Sequence, residues 1–136
     1  MNSQIFVNLP VKNLAQSKAF FAQLGYGFNA QFTNDDAACM VISEHIYVML
    51  LTEPFFQGFI KKTIANAKTT TEMLLCLSCD SRAEVDELVK KAWAAGGKVP
   101  MEPQDHGFMY AHGFEDLDGH LWELCYMDPS YVQPSV

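Results

Sequence analysis

The chain repeats itself in order rather than in identity. A strand, a capped helix, a glycine stop and three strand-like runs occur once before residue 53 and again after residue 71, a period of roughly 70 residues. In the first copy Ile5, Val7, Leu9 and Val11 fall on one face of a strand, and Phe6, Asn8 and Pro10 on the other. Asn13, with Gln16 three residues on, caps a helix whose apolar stripe is Ala19, Phe20, Phe21 and Leu24 and whose stop is Gly25. Strand-like runs follow near residues 26–32, 37–42 and 46–52, and Asn34-Asp35-Asp36 and Ser43-Glu44-His45 supply the turns.

The second copy reads the same way. A strand is expected over 72–79, a capping box at Ser81 and Glu84, and a helix with Val85, Leu88, Val89, Ala92 and Trp93 on one side, ending at Gly96-Gly97. Strands are expected near 98–103, 108–115 and 121–127. Residues 53–70 read as a linker helix lying across the sheet, with Pro54 at a first helical position and Phe55, Phe56, Phe59, Ile60 and Ile64 as its stripe. A lid or a dimer contact is the functional alternative for that stripe. The organisation is one domain over 1–136, with module one at about 4–52, the linker at about 53–70 and module two at about 71–128.

Composition excludes several classes of function. With 49% hydrophobic residues, ten Phe and five Tyr in 136 residues, the chain has enough apolar material to build a core without disulfides or structural metal. Sixteen acidic against nine basic residues, a formal charge of −7, would repel a phosphate backbone, so nucleic acid is not an expected partner. No apolar run approaches the roughly 18 residues that span a bilayer, and Met1-Asn2-Ser3-Gln4 lacks the features of a signal peptide. The expectation is a cytoplasmic protein with no membrane partner. Cys39, Cys76, Cys79 and Cys125 then read as thiols in strands, and Cys76 and Cys79, three apart, point to opposite faces.

Chemistry concentrates near the carboxyl end, in Phe114-Glu115-Asp116-Leu117-Asp118-Gly119-His120-Leu121-Trp122-Glu123-Leu124. Asp-Gly between two apolar runs is a hairpin signal. A loop of two or four residues keeps parity and sets Phe114 or His112 opposite Glu123, so that Tyr110, His112 and Phe114 share its face with Leu121 and Cys125. A carboxylate in the middle of an apolar strand is costly unless paired, wet or metal-bound, which makes Glu123 the leading site candidate; an outer solvated face or a salt bridge is the plainer alternative. Phe108 and Tyr110 are candidates to stack on a flat ligand, whereas Trp122, of opposite parity, belongs to the core. His120 and His45 fall in turns.

These two units, the closing Asp118-Gly119-His120-Leu121-Trp122-Glu123-Leu124 run, and Val11-Lys12-Asn13-Leu14 with Ser17 and Phe20-Phe21 resemble the vicinal oxygen chelate superfamily, the group of glyoxalase I, bleomycin-resistance proteins, fosfomycin-resistance proteins and extradiol dioxygenases. The resemblance implies an α+β fold: two βαβββ modules forming a cupped mixed β-sheet with helices packed on the outer face. It also implies a cavity inside the cup, often with a divalent metal that polarises two neighbouring oxygens of a substrate. Of the four ligand positions of glyoxalase I, the last matches Glu123. The first falls on Phe6, the second on or beside Leu50 and the third on or beside Leu74, none able to ligate.

No cofactor is therefore expected, a divalent metal has only a relocated site at Glu123 with His112 and His106 as its alternative, and Phe6, Asn8, Leu50 and Leu74 become substrate-binding candidates alongside Phe108 and Tyr110. Glu123 and His112 are the candidate catalytic pair, Glu123 as a base and His112, Asn8 or Tyr110 steadying an oxygen. The leading expectation is a glyoxalase-like protein holding a small organic molecule. Its rival is a binding protein that sequesters a drug or metabolite without chemistry, for which the acidic balance favours a cationic ligand. A homodimer is implied by analogy with the family.

Overall fold

Both copies of the repeat close in the same way, with the first strand lying parallel beside the last. The computed structural model describes residues 3–131. It divides into two units, Met1–Thr70 and Thr71–Val136. The first holds β1 (Ile5–Val11), α1 (Leu14–Gln23), β2 (Gly27–Asn29), β3 (Ala37–Val41), β4 (Ile46–Thr52) and α2 (Glu53–Gln57). The second holds β5 (Leu74–Ser78), α3 (Arg82–Ala94), β6 (Gln104–Asp105), β7 (Met109–Glu115) and β8 (Leu121–Met127). The strand orders are β1-β4-β3-β2 and β5-β8-β7-β6. In each, only the pairing of first strand with last is parallel.

Local chemistry explains why the helices begin and end where they do. Asn13 Oδ1 accepts from the Gln16 N–H and Ser81 Oγ from the Glu84 N–H, each at 3.0 Å, satisfying donors that a helix start leaves unpaired. Gly25 and Gly96 take positive φ of 103° and 104°, and the next residues, Tyr26 and Gly97, donate back to Phe21 O and Ala92 O. Those are paired Schellman stops, a backbone shape that glycine adopts at little cost.

The helices cover one face of each sheet. Leu9, Val11, Ala38, Met40, Val48 and Leu50 are buried on the same face of the first sheet, where α1 brings Phe20 and Phe21 edge to face at 5.0 Å. In the second unit Val85, Val89 and Ala92 of α3 cover Phe114, Trp122 and Leu124. Each large side chain so buried contributes about 1.5–3 kcal/mol.

Three expected elements differ from the structure. The helix expected over 53–70 is only Glu53–Gln57. It stops at Gly58, and the chain turns where Gln57 Nε2 donates to Lys62 O and where Asn66 O accepts from Thr69 and Thr70. The strand expected over 26–32 breaks after Asn29, whose side chain accepts from the Gln31 N–H and opens a 3-10 turn over Ala30–Phe32. The strand expected over 98–103 contracts to a single bridge from Lys98 to Glu115, since Pro100 and Pro103 lack N–H donors for a ladder.

The fourth difference governs the site. Glu115 pairs with Leu121, so five residues, not two or four, connect β7 to β8. Gly119, at φ 92°, donates to Asp116 O, and Asp116 donates to His120 O, the pattern of a turn followed by a glycine bulge. The buried Asp116 carboxylate holds this loop by accepting from the Asp118 and His120 N–H groups and from Trp122 Nε1, each at 3.0 Å. An odd connection inverts the parity. Gly113, rather than Phe114 or His112, lies opposite Glu123.

Two stability effects follow from this hairpin. Replacing Asp116 by Ala leaves the indole N–H and two backbone N–H groups without their acceptor, and urea denaturation should show a loss of about 2–4 kcal/mol. A Cβ at Gly113 would lie 2.5 Å from Trp122 O, a backbone atom that cannot swing aside. Gly113→Ala should therefore cost about 1–3 kcal/mol by the same measurement, although the residue is only half-buried.

Candidate functional site

Glu123 emerges in the middle of the second sheet on the face that α3 does not cover. The register sets Cys76 of β5 on one side of it and Gly113 of β7 on the other. Leu74, Leu121, Ala111 and Cys125 share that face. Where Gly113 has no side chain, a groove of about 160 Å³ opens, with Glu123, Leu74, Leu121, Met109 and Ala111 along it and Pro100, Met101, Glu102 and Gln104 as one wall. Glu123 is half-buried and forms no ion pair among the described residues.

Of the residues expected beside Glu123, His112 and Phe114 border the groove but occupy strand positions of the opposite face, and Tyr110 does not line it. His112 pairs with Leu124 and Phe114 with Trp122, on the helix-covered face, because the odd loop turned them over. His112 Nε2 lies 3.0 Å from Met101 O; a carbonyl only accepts, so the ring nitrogen is the donor and the imidazole braces the groove wall. Tyr110 also faces away from Glu123. Its hydroxyl donates to Asp86 Oδ1 at 2.6 Å, which pushes the phenol above its ordinary range, and the Arg82 guanidinium lies 5.2 Å from its ring. Arg82 also donates to Asp105 at 2.7 Å and to Gly107 O, holding the β6–β7 turn to α3 and keeping the Asp105 carboxyl below the usual range. Phe108 stacks on Tyr131 at 4.2 Å and does not line the groove.

In the first unit, Phe6 and Asn8 share the face that α1 leaves open. Phe6 is stacked on Tyr47 at 4.8 Å, and Asn8 Nδ2 donates to Phe6 O at 3.2 Å. Leu50 does not join them. It pairs with Leu9 and is fully buried under the helix, whereas Met49, paired with Asn8, holds the open-face position. Leu74 does line the groove beside Glu123 and is 59% exposed. The candidates thus fall into two sets, Phe6 with Asn8 and Leu74 with Glu123.

A divalent metal does not fit the residues present. The described residues contain no group of three His, Cys, Asp or Glu side chains able to hold one. Hydrocarbon stands at the ligand positions carried over to Phe6, Leu50 and Leu74, and a lone carboxylate binds such an ion too weakly.

Cys76 was read from the sequence only as a structural thiol, and Gly113, Met101 and Met109 were not singled out. Alternation with Leu74 would have placed Cys76, had the parallel β5–β8 register been known; nothing local marks Gly113. Local desolvation pushes the Cys76 thiol up to about 11, and Glu123 and Cys125 push in the same direction. It therefore stays protonated at neutral pH despite the residue's exposure at the sheet edge. Alkylation of Cys76 at pH 8, followed by peptide mapping, should be on the order of a hundredfold slower than for a free thiol. Glu123→Gln should speed it, since removing the negative neighbour lowers the thiol pKa.

The chain's fold has counterparts among solved structures. The glyoxalase/bleomycin resistance protein/dioxygenase superfamily model matches residues 4–124. A hypothetical protein from S. aureus is similar at 29% identity and a TM-score of 0.78, over 93% of this chain and 95% of that one. A glyoxalase-related enzyme from Fulvimarina pelagi shares the fold at 18% identity and a TM-score of 0.79, over 93% and 88%. So does a genomically encoded fosfomycin resistance protein from Listeria monocytogenes, at 17% and 0.66, over 99% and 96%. No curated protein matches. With the family model spanning nearly the full chain, this protein belongs to the glyoxalase/bleomycin resistance protein/dioxygenase superfamily.

Proposed function

We propose that this protein holds a small organic molecule in the groove of its second unit, with Glu123 as the principal polar anchor, and that it does so by binding rather than by metal-assisted chemistry. The observation that carries the reading is Glu123 itself, a half-buried carboxylate in an apolar-walled groove, engaged in no ion pair among the described residues. Pockets of this make-up, apolar with few polar groups, are the usual form of small-molecule sites. Membership of a superfamily that includes resistance proteins and glyoxalases agrees with it.

Binding is favoured over proton abstraction because the groups that would steady a developing oxyanion are committed elsewhere. His112 gives its Nε2 proton to Met101 O at the groove wall, and Tyr110 is engaged with Asp86 on the opposite face from Glu123. A base alone, with no electrophile to stabilise the charge it creates, forfeits the electrostatic part of catalysis. We further place the protein in the cytoplasm, as a homodimer. No helix among the described residues is long and apolar enough to cross a membrane.

The test is a fragment screen by NMR on the full chain, run beside an assay with the glutathione hemithioacetal of methylglyoxal. Fragments should perturb Leu74, Met101, Met109, Gly113 and Glu123 together, bind at least about tenfold more weakly to Glu123→Gln, and leave the hemithioacetal unchanged. Turnover abolished by Glu123→Gln would replace binding by proton abstraction, and a screen with no perturbation in the groove would remove the assignment.

A further inference from the structure

The groove's charge is one-sided. Glu123 and Glu102 line it, no Lys or Arg does, and the imidazole at its wall, His112, gives its Nε2 proton to Met101 O. The chain as a whole is divided in the same sense. Residues 71–136 contain twelve of the sixteen acidic residues and four of the nine basic ones, whereas residues 1–70 contain four acidic and five basic. The −7 of the protein is thus carried by the unit that contains the groove.

The four basic residues of that unit do not offset the groove locally. Arg82 is engaged with Asp105 and Gly107 on the α3 side. Lys90 and Lys91 are exposed positions of α3, the helix on the other face of the sheet. Lys98 is joined to Glu115 through backbone hydrogen bonds alone and does not line the groove.

Building on the reading above, we propose that the groove selects an organic cation: a primary or quaternary ammonium on a compact apolar body, its head at Glu123 and its body against Met101, Met109 and Leu74. An anionic ligand would meet two carboxylates with no compensating donor charge. A neutral one would strip water from Glu123 without replacing it, whereas an ammonium restores what desolvation removes. The volume sets the size. At about 160 Å³ the groove is well below the roughly 300–1,000 Å³ of drug-sized sites, so the apolar body has to be small. The surplus negative charge of residues 71–136 also concentrates cations around the unit and makes capture sensitive to salt.

Three probes of nearly equal size separate charge from shape: benzylamine, benzyl alcohol and benzoate, each titrated into the full chain by NMR at low and high salt. Benzylamine should bind about tenfold or more tightly than benzyl alcohol at low salt, with benzoate weakest. The advantage of the amine should shrink to about twofold in Glu123→Gln and at high salt. Glu102→Gln, an exposed rim position where folding is not at stake, should reduce it partially. Equal binding of amine and alcohol, or a preference for benzoate, would overturn the selectivity for cations while leaving a small-molecule site in place. Failure of all three probes to perturb the groove would overturn both.

Discussion

The architecture of the site depends on one buried carboxylate. Asp116 gathers two backbone N–H groups and the Trp122 indole N–H into a single acceptor, and so fixes a five-residue connection between β7 and β8. Burial pushes this carboxyl up, while His120 and the three donors pull the other way. The loop's odd length is what matters. It sends Phe114 and Trp122 to the helix-covered core, where their rings lie parallel at 6.2 Å, and leaves Glu123 facing the open side opposite a glycine. Shift that connection by one residue and every side chain of β8 changes face.

From that constraint the groove follows. A side chain at position 113 would occupy the space beside Glu123 and collide with the β8 backbone, so the strand's close approach and the opening in front of the carboxylate have the same origin. The groove wall is then held by Arg82 on the Asp105–Gly107 turn and by His112 on Met101 O. The superfamily fold supplies the frame, but the frame does not specify the chemistry. At the positions carried over from glyoxalase I this chain has Phe6, Leu50 and Leu74, and the one remaining carboxylate has to act without the partners a divalent ion would need.

Much of the fold was legible because its signals are local. Asn13, Ser81, Gly25 and Gly96 mark helix ends through bonds to residues within five positions, and β4 and β8 have the bounds that alternation gives them. What was not legible depends on distant atoms. The Asp118-Gly119 signal identified a hairpin but not its loop length, which is decided by the Trp122 indole reaching back to Asp116. That single miss misplaced His112, Tyr110 and Phe114 relative to Glu123. The position read as on or beside Leu50 falls beside it for a similar reason: the β1–β4 register sets Leu50, and not Met49, on Leu9's buried side. The stripe over 53–70 suggested a long helix, but Phe55 and Phe59 are exposed and meet edge to face, and local turns won.

The face that Glu123 occupies is the claim on which everything else rests, and cysteine accessibility reads it directly. In a chain whose four native cysteines are replaced by Ser, a cysteine placed at position 123 should react with a small uncharged methanethiosulfonate under native conditions. One at position 124 should stay protected until the protein unfolds. Protection at 123 together with reactivity at 124 would mean that the β7–β8 connection has even length and that Glu123 points into the core, and the groove described above would not exist.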